Sequence, residues 1–390
     1  MSAKAITRPP VEWDKARHGP GAYLMPDALF DGQALRSGAC LRIAGNRAFP
    51  CESAGEGPVW RLPGILSPGF IDLQVNGGGG VLFNSQPTAE GALAIARAHR
   101  TTGTTALLPT LITDAAEVME QAVDAVVQTY GSGGIIGIHL EGPHISAARR
   151  GTHALGHVRP LDAPTLRQVD RLRSEGISVM LTLAPEACAP GQISALVDQG
   201  VVVAIGHSDA TADLVRRALG EGAQCFTHLF NAMSQMQNRE AGVTGAAINS
   251  QAYCSFICDG IHVAPEMLQV AIRARPVPER MILVSDAMPT VAGPDRFDLY
   301  GQTVVLRDGR LVNAEGALAG AHVTMLQSVR NTVELLGRGL DEVLRMAIAN
   351  PAKLMGRKDL ADVWALSVED MILIANDLKS CTFPLAGVRG

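Results

Sequence analysis

The chain has 390 residues, of which 47% are hydrophobic and 18% are charged, and its formal net charge is −5 at pH 7. This length accommodates an α/β barrel of about 250 residues with material left over. The acidic balance and the lack of a long basic run argue against a nucleic-acid partner.

The sequence has none of the usual signals of secretion or membrane insertion. Residues 1–17 carry charges and prolines without an apolar core, so we do not expect a signal peptide. The longest purely apolar runs, such as 201–205, are far shorter than the roughly 20 residues that span a bilayer. Seven cysteines with no Cys-x-x-Cys pair suit a reducing compartment and argue against a thiolate zinc site. We therefore expect a cytoplasmic protein without a membrane partner.

Short apolar strands alternate with amphipathic helical segments through most of the chain. Residues 1–66 differ, because their short apolar stretches between Gly and Pro predict small strands joined by turns. From 67 to 355 the alternation predicts a parallel sheet with crossover helices, closed into a (β/α)₈ barrel. The eight predicted strands are 69–76, 104–109, 135–141, 178–183, 201–207, 225–228, 253–259 and 281–286. Helices are predicted at 88–101, 114–129, 211–221 and 265–275.

After residue 286 the pattern predicts a hairpin, two helices and a return to strand. The hairpin strands are 303–307 and 310–313, turning at Asp308-Gly309, and the helices are 325–336 and 341–349. We expect the second helix to end at Asn350-Pro351, since the residue before proline disfavours the helical region. Residues 356–390 are β-like again, and we predict that they join 1–66 in one small β-sandwich domain. The predicted fold class is therefore α/β, a TIM-like barrel with this small domain beside it.

Polar residues end four of the predicted barrel strands. Glu141 ends the third strand, His207 the fifth, His228 the sixth and Asp286 the eighth, and catalytic groups of barrel enzymes come from these ends. One carboxylate and two imidazoles make a three-ligand site that leaves a position open for water, as in catalytic zinc sites. Asp286 would lie beside that water as general base and then general acid.

Each of these residues, considered singly, also has a purely structural interpretation. One histidine at a strand end is more often a hydrogen-bonded surface residue than a ligand. Two histidines in phase with Glu141 and Asp286 favour a shared metal site instead. His139 lies on the same face of its strand as Glu141, and we interpret it as structural. We expect one divalent metal per subunit, zinc first, although a Glu/His/His set also suits iron, cobalt or manganese.

Six segments in chain order resemble the N-acetylglucosamine-6-phosphate deacetylases of the amidohydrolase superfamily. They are Pro68-Gly-Phe-Ile-Asp72, His139-Leu-Glu-Gly-Pro143, Gly206-His-Ser-Asp-Ala-Thr211, Thr227-His-Leu-Phe-Asn-Ala-Met233, Asp259-Gly-Ile-His262 and Val284-Ser-Asp286. The resemblance implies that Glu141, His207 and His228 are metal ligands and that Asp286 is the catalytic acid and base. It also implies a set of substrate-binding residues, namely Thr152, His153, Asn231, Ala232, Arg239 and His262, with Leu318-Ala319-Gly320 in a covering loop. In the family the arginine that matches Arg239 reaches the sugar phosphate from a neighbouring subunit, which implies a homodimer.

The end of the first strand discriminates within that superfamily. Many members have His-x-His there and bind a second metal, whereas this chain reads Gln74-Val-Asn76. Neutral amides are poor ligands beside imidazole, so we expect the second metal site to be empty, as in the single-metal branch. The end of the fourth strand, Leu183-Ala-Pro-Glu186, also lacks the lysine that bridges two metals in hydantoinase-like enzymes.

The implied reaction is hydrolysis of N-acetyl-D-glucosamine 6-phosphate to D-glucosamine 6-phosphate and acetate, with His153 stabilising the oxyanion. A deacetylase for N-acetylgalactosamine 6-phosphate or another N-acyl amine is an alternative, since no residue type reports the orientation of the C4 hydroxyl. A non-catalytic barrel scaffold is a remote alternative, because such a protein should have lost ligands. Two features depart from the family pattern: a degenerate strand motif around 362–375, and His144 where a bulky apolar residue is usual.

Overall fold

The structure, a computed structural model, describes residues 22–313, 316 and 318–385. Three predictions fall partly or wholly outside these residues: the segment 1–17 without a signal peptide, and the parts of the small domain at 1–21 and 386–390. The division of the chain at residues 66 and 355 stays a prediction.

Eight parallel strands form one sheet in chain order with helices between them, which confirms the predicted barrel. The barrel strands are Phe70–Val75, Thr104–Ile112, Gly137–Glu141, Ser178–Leu183, Val202–Ile205, Cys225–Phe226, Tyr253–Phe256 and Met281–Leu283. The α-helices up to the eighth strand are Ala89–Arg100, Ala116–Thr129, Ala163–Ser174, Gln192–Asp198, Ala212–Gly220, Gly242–Ile248 and Pro265–Ala274. Among the described residues, no helix combines the length and the apolar character needed to cross a membrane.

The first barrel helix shows why these segments become helical. Thr88 caps Ala89–Arg100 by accepting a hydrogen bond from the amide of Gly91, and Glu90 lies in the first turn, where the helix dipole favours negative charge. Ala92, Ile95 and Ala96 fall at helical spacing and are buried against the sheet. The helix thus carries one apolar face, which covers the outside of the barrel.

The first and eighth strands close the barrel without a regular ladder. A single bridge joins Val75 to Ala287, and the carbonyl of Ala287 accepts the amides of Asn76 and Gly77, each at 2.9 Å. Below this bridge the side chain of Asp72 replaces the missing ladder. Its Oδ1 accepts the amides of Gln74 and Ser285, each at 3.2 Å, and complete burial raises the pKa of Asp72 to about 7.

The two flanks of the chain share one seven-stranded sheet, so the prediction that they pair is confirmed. Its strands are Ala22–Phe30, Leu35–Ser37, Cys40–Ala44, Arg47–Cys51, Val59–Pro68, Met371–Ile374 and Cys381–Thr382. Met371–Ile374 runs antiparallel to Val59–Pro68, with Leu373 opposite Leu66. Leu24, Leu41 and Leu66 lie in a hydrophobic cluster of this sheet that is separate from the barrel core.

The chain between the eighth strand and the C-terminal strands contains a small sheet and three α-helices. The sheet has the strands Arg296–Leu299, Gln302–Arg307 and Arg310–Val312, and its second hairpin confirms the predicted one. The helices are Met325–Leu336, Leu340–Leu344 and Asn350–Leu354. The predicted helix end at Asn350-Pro351 is wrong. A π-helical turn at Arg345–Ala349 leads into the last helix, and Pro351 lies in the first turn of that helix, where a missing amide hydrogen is tolerated.

Asp72→Ala should lower the free energy of unfolding by about 1–3 kcal/mol, because two buried amides lose their acceptor where the barrel closes. Asp72→Asn is the matched control, since its side-chain oxygen can still accept both amides. Urea unfolding of the three proteins measures the difference. An alanine variant as stable as the asparagine variant would show that packing, and not the side-chain oxygen of residue 72, closes the barrel.

Candidate active site

Three of the predicted chemical residues lie just beyond their strands in a left-handed backbone conformation. The sequence predicted strands running through His207, His228 and Asp286, but the strands end at Ile205, Phe226 and Leu283. The φ angles of the three residues are 49°, 33° and 51°. Positive φ is uncommon for residues other than glycine and costs on the order of 1–3 kcal/mol. These turns bring the three side chains to the mouth of the barrel.

Gly206 makes room for one of these turns. A Cβ atom at this position would lie 2.8 Å from the side chain of Thr182 and 2.9 Å from that of Thr227, on the two neighbouring strands. Any larger residue would push these strands apart. The Gly-His pair therefore lets the barrel stay tight directly below His207.

Glu141, His207 and His228 form a compact buried cluster. Oε1 of Glu141 lies 3.2 Å from Nε2 of His207 and 2.9 Å from Nε2 of His228, and the two ring nitrogens are 3.1 Å apart. Burial alone would raise the pKa of Glu141, but the two imidazoles next to its carboxylate hold that pKa well below its ordinary value. An ionised carboxylate and two ring nitrogens thus converge on one point.

The hydrogen bonds behind the cluster suit a cation at that point. Nδ1 of His207 lies 2.9 Å from the carbonyl oxygen of Arg149 and donates to it, so Nε2 of the neutral ring carries a lone pair. Two imidazole nitrogens only 3.1 Å apart cannot both carry protons without repulsion. The chemistry and spacing of the three donors therefore fit one divalent metal. Their ligand atoms all lie within 4.8 Å of one another.

Asp286 lies beside the cluster and is held by two amide side chains. Nε2 of Gln74 donates to its Oδ1 at 3.0 Å, and Nδ2 of Asn76 donates to the same oxygen at 2.6 Å. Burial and the nearby charge of Glu141 raise the pKa of Asp286 to about 6. A carboxyl group with a pKa near neutrality can both take up and release a proton at physiological pH.

His153 faces the cluster as a neutral ring. Its Nδ1 accepts the amide of Thr113 at 3.4 Å and lies 2.8 Å from the hydroxyl of Thr113, which places the ring proton on Nε2. Burial, and to a lesser degree the electrostatic effect of the neighbouring His207, lower the pKa of His153 well below its ordinary value. The ring centroid lies 4.3 Å from that of His207. His153 can therefore donate one hydrogen bond to a group in the site.

A polar layer lies below the cluster inside the barrel. His139 lies 3.2 Å from the hydroxyl of Thr110 and 2.8 Å from that of Thr182, and Thr182 bonds Thr227 at 2.6 Å. Complete burial lowers the pKa of His139 to about 4, which favours the neutral ring. The location of His139 agrees with the structural role expected from the sequence.

A cavity of about 180 Å³ opens above these groups and collects most of the predicted site residues. Its lining includes Glu141, Thr152, His153, His207, His228, Asn231, Ala232, His262, Asp286, Leu318 and Gly320. Two predicted residues lie elsewhere. Ala319 is buried in a small apolar cluster with Met288 and Phe297, and Arg239 is exposed on the loop after His228 and does not line the cavity of its own chain.

His262 enters the cavity wall in a fixed orientation. Asp259 accepts the amides of Ile261 and His262 at 2.8 and 2.9 Å and lies 2.6 Å from Nδ1 of the His262 ring. Burial would raise the pKa of Asp259, but the bonds from His262 keep it below its usual value. The remaining ring nitrogen, Nε2, is the one available to a ligand.

Some residues at the site were not assigned a role from the sequence. Thr113 and Asp259 set the orientation of His153 and His262, and Ile112 and Met288 form apolar parts of the wall. The Asp-Gly-Ile-His spacing already suggests a carboxylate that reaches the histidine three residues later. For Thr113, the available signal was its place just after the second strand, at the same rim as the ligands.

Comparison with known proteins agrees with this geometry. Residues 65–361 match the model of the amidohydrolase family. The chain is 40% identical over 342 residues to an N-acetylgalactosamine-6-phosphate deacetylase of Shewanella sp., covering 86% of each chain. It is 33% identical over 301 residues to an N-acetylglucosamine-6-phosphate deacetylase of Haemophilus influenzae, covering 75% of this chain and 78% of the relative.

The solved structures give the same grouping. The crystal structure of N-acetylglucosamine-6-phosphate deacetylase from Pasteurella multocida superposes with a TM-score of 0.84 at 31% identity, covering 93% of this chain and 97% of the other. The range matched by the family model, residues 65–361, contains Glu141, His207, His228 and Asp286. The chain therefore belongs to the amidohydrolase family, within the group that contains the N-acetylglucosamine-6-phosphate and N-acetylgalactosamine-6-phosphate deacetylases.

Proposed function

We propose that this protein hydrolyses the acetamide of N-acetyl-D-glucosamine 6-phosphate, releasing acetate and D-glucosamine 6-phosphate. One observation carries the proposal: the buried Glu141, His207 and His228 cluster lies beside Asp286 in the cavity of a chain that belongs to this deacetylase group. The sugar is taken from the names of the relatives, and the amide hydrolysis follows from the residues.

Glu141, His207 and His228 would hold one divalent metal, and we propose zinc for it. When bound, such a metal polarises the acetyl carbonyl and lowers the pKa of its water towards about 7. The chain supplies the oriented lone pair of His207, through the bond to the Arg149 carbonyl, and the ionised carboxylate of Glu141. Gln74 and Asn76 stand where a second metal would need stronger ligands, so we propose a single ion.

The proton steps are assigned to Asp286. Its Oδ1 is held by Gln74 and Asn76, whereas no donor among the described residues bonds its Oδ2. Oδ2 takes the proton of the attacking water and later delivers it to the departing sugar nitrogen. Meanwhile Nε2–H of His153 donates to the oxygen that becomes negative in the tetrahedral intermediate. Both groups line the same cavity.

The phosphate of the substrate needs a positively charged partner. Among the described residues that line the cavity there is no lysine or arginine. Arg239 is exposed on the loop after His228 and is not among the residues that line the cavity of its own chain. We therefore propose a homodimer in which the partner's Arg239 contacts the phosphate, since guanidinium is always charged and binds phosphate in a bidentate way.

A second candidate substrate is N-acetylgalactosamine 6-phosphate. The 40% identical relative is named for that sugar, and the 33% identical relative is named for the glucosamine form. Acetate release from both sugar phosphates, measured with the same metal-loaded protein, tests the proposed function and decides between them. Failure to release acetate from both sugars would leave hydrolysis of another N-acyl amine, or the remote alternative of a barrel without catalysis.

The protein purified in the presence of zinc should contain one tightly bound divalent metal per chain, because one carboxylate and two imidazoles provide a single three-ligand site. Elemental analysis against protein concentration measures this ratio. Removal of the metal with a chelator should abolish acetate release, and added zinc should restore it. Two fully occupied metals per chain would contradict the proposal and would make Gln74 or Asn76 a ligand.

Asp286→Asn should lower kcat for the sugar phosphate by about 10²-fold or more, the low end for general acid–base catalysis, while metal content and unfolding temperature stay unchanged. The reason is that the amide cannot take up the proton of the attacking water. Steady-state kinetics and elemental analysis measure both parts. Asp170→Asn, on an exposed helix position, is the control and should behave as wild type. Near-normal turnover of Asp286→Asn would move the proton transfer to another group.

Arg239→Ala should raise KM for the phosphorylated sugar by about thirty-fold or more, because a charge-assisted phosphate contact contributes roughly 2–5 kcal/mol. The weak turnover of unphosphorylated N-acetylglucosamine should hardly change. Arg167→Ala, at an exposed helix position, is the matched control. Equal losses on both substrates would mean that Arg239 supports structure and does not recognise phosphate.

A subunit-mixing experiment tests the dimer separately. Each mixed dimer of Arg239→Ala and Asp286→Asn chains should regain one working site, because one cavity then combines an intact Asp286 with an intact Arg239 of the partner. Subunit exchange is verified first by native mass spectrometry. Mixed dimers without recovered activity would show that Arg239 serves its own subunit or no subunit.

A further inference from the structure

Two amide side chains at the end of the first barrel strand connect the two carboxylates of the site. Gln74 and Asn76 are fully buried, at 1% and 0% exposure. Nε2 of Gln74 donates to Oε1 of Glu141 and to Oδ1 of Asp286, both at 3.0 Å. Nδ2 of Asn76 donates to Oδ1 of Asp286 at 2.6 Å. Amide hydrogens thus fill the space between two buried negative groups.

The orientation of both amides is set by these carboxylates. Oε1 of Gln74 and Oδ1 of Asn76 are buried without a hydrogen-bond partner, which costs free energy. Rotating either amide by half a turn would bring its oxygen against a carboxylate oxygen at 2.6 to 3.0 Å, which is strongly repulsive. Both side chains therefore leave one polar atom unsatisfied in order to donate to Glu141 and Asp286.

Asp286 needs such support because its own strand does not position it. The eighth strand ends at Leu283, and Asp286 follows in a left-handed turn. Among the described residues, the hydrogen-bond donors to its carboxylate are the amides of Gln74 and Asn76, and both bind the same oxygen, Oδ1. Oδ2 has no donor among the described residues, and Asp286 lines the cavity, so Oδ2 is the oxygen left for a group bound there.

We propose that Gln74 and Asn76 are positioning residues, which lock the Asp286 carboxylate by Oδ1 so that Oδ2 is presented to the reacting water. This inference rests on the proposed function, in which Asp286 carries the proton. The Gln74-Val-Asn76 segment would therefore orient Asp286, in addition to lacking the ligands for a second metal.

The two amides should have separable effects, because their contacts differ. Asn76 contacts Asp286 and not Glu141, whereas Gln74 also bonds Oε1 of Glu141, the oxygen that faces both histidines. Loss of Asn76 should therefore affect turnover and leave the metal in place. Loss of Gln74 should affect turnover and also weaken metal retention.

A double-mutant cycle tests the positioning role. Asn76→Ala should lower kcat by roughly 10- to 100-fold with KM within about twofold, because a misplaced base slows the chemistry more than it weakens binding. In the Asp286→Asn background the same substitution should change the residual kcat by less than about twofold, since the group that Asn76 acts through is already disabled. Gln74→Ala goes through the same cycle, so the test stands even if one alanine variant does not fold.

Zinc retention provides a measurement that does not depend on activity. Zinc-loaded proteins are titrated with a chelator, and we expect Gln74→Ala to release zinc at lower chelator concentration than wild type, while Asn76→Ala matches wild type. Asn350→Ala is the matched control: its buried amide donates to the carbonyl of Met281 at 2.7 Å, at the opposite end of the eighth strand. This variant should lose thermal stability and keep its kcat and its zinc.

The outcomes separate the inference from the proposed function. If Asp286→Asn itself keeps near-normal kcat, the proposed function fails at the proton step. If Asp286→Asn is impaired but Asn76→Ala and Gln74→Ala lower kcat equally in both backgrounds, the amides act independently of Asp286 and the positioning role is overturned. A rise in KM with unchanged kcat in these variants would overturn it as well.

Discussion

Oε1 of Glu141 lies at the centre of the site, and the surrounding side chains are arranged around this atom. Gln74, His207 and His228, from the first, fifth and sixth strands, all approach this single oxygen within 3.2 Å. A buried carboxylate is tolerated only where charge or hydrogen bonds compensate for the lost water. His207 and His228 follow the ends of their strands in left-handed conformations, and both rings reach this oxygen from there.

The same crowding gives the two carboxylates different environments. Glu141 is surrounded by donors and stays ionised, whereas Asp286 is buried next to that negative charge, which raises its pKa to about 6. Such divergence between neighbouring acids is typical of sites where one group binds and the other transfers protons. The amide of Gln74 bonds both carboxylates and the amide of Asn76 bonds Asp286, so neutral side chains support the two acids.

Two histidines in the cavity wall are oriented for contact with a substrate. His153 and His262 are each oriented through Nδ1 by one neighbour, Thr113 and Asp259, which leaves Nε2 of each ring for a ligand. These groups suit hydroxyl, carbonyl and phosphate oxygens, but among the described lining residues they come without an arginine or lysine. In the proposed dimer the partner's Arg239 would supply that positive charge, so binding of a phosphorylated substrate would depend on assembly.

The sequence by itself determined the barrel and the residues at its rim. Parallel strands place their carboxyl ends at one edge, so polar residues at those ends had to converge. Only the tertiary structure decided which atoms meet: Gln74 and Asn76 with Asp286, and Thr113 with His153. It also left Arg239 exposed and outside the cavity lining of its own chain. Gln74 bonds Glu141, which lies 67 positions later in the chain, and Asp286, which lies 212 positions later. These bonds depend on barrel closure and on left-handed turns. Local sequence propensity encodes neither the barrel closure nor these turns, because both arise from packing between distant strands.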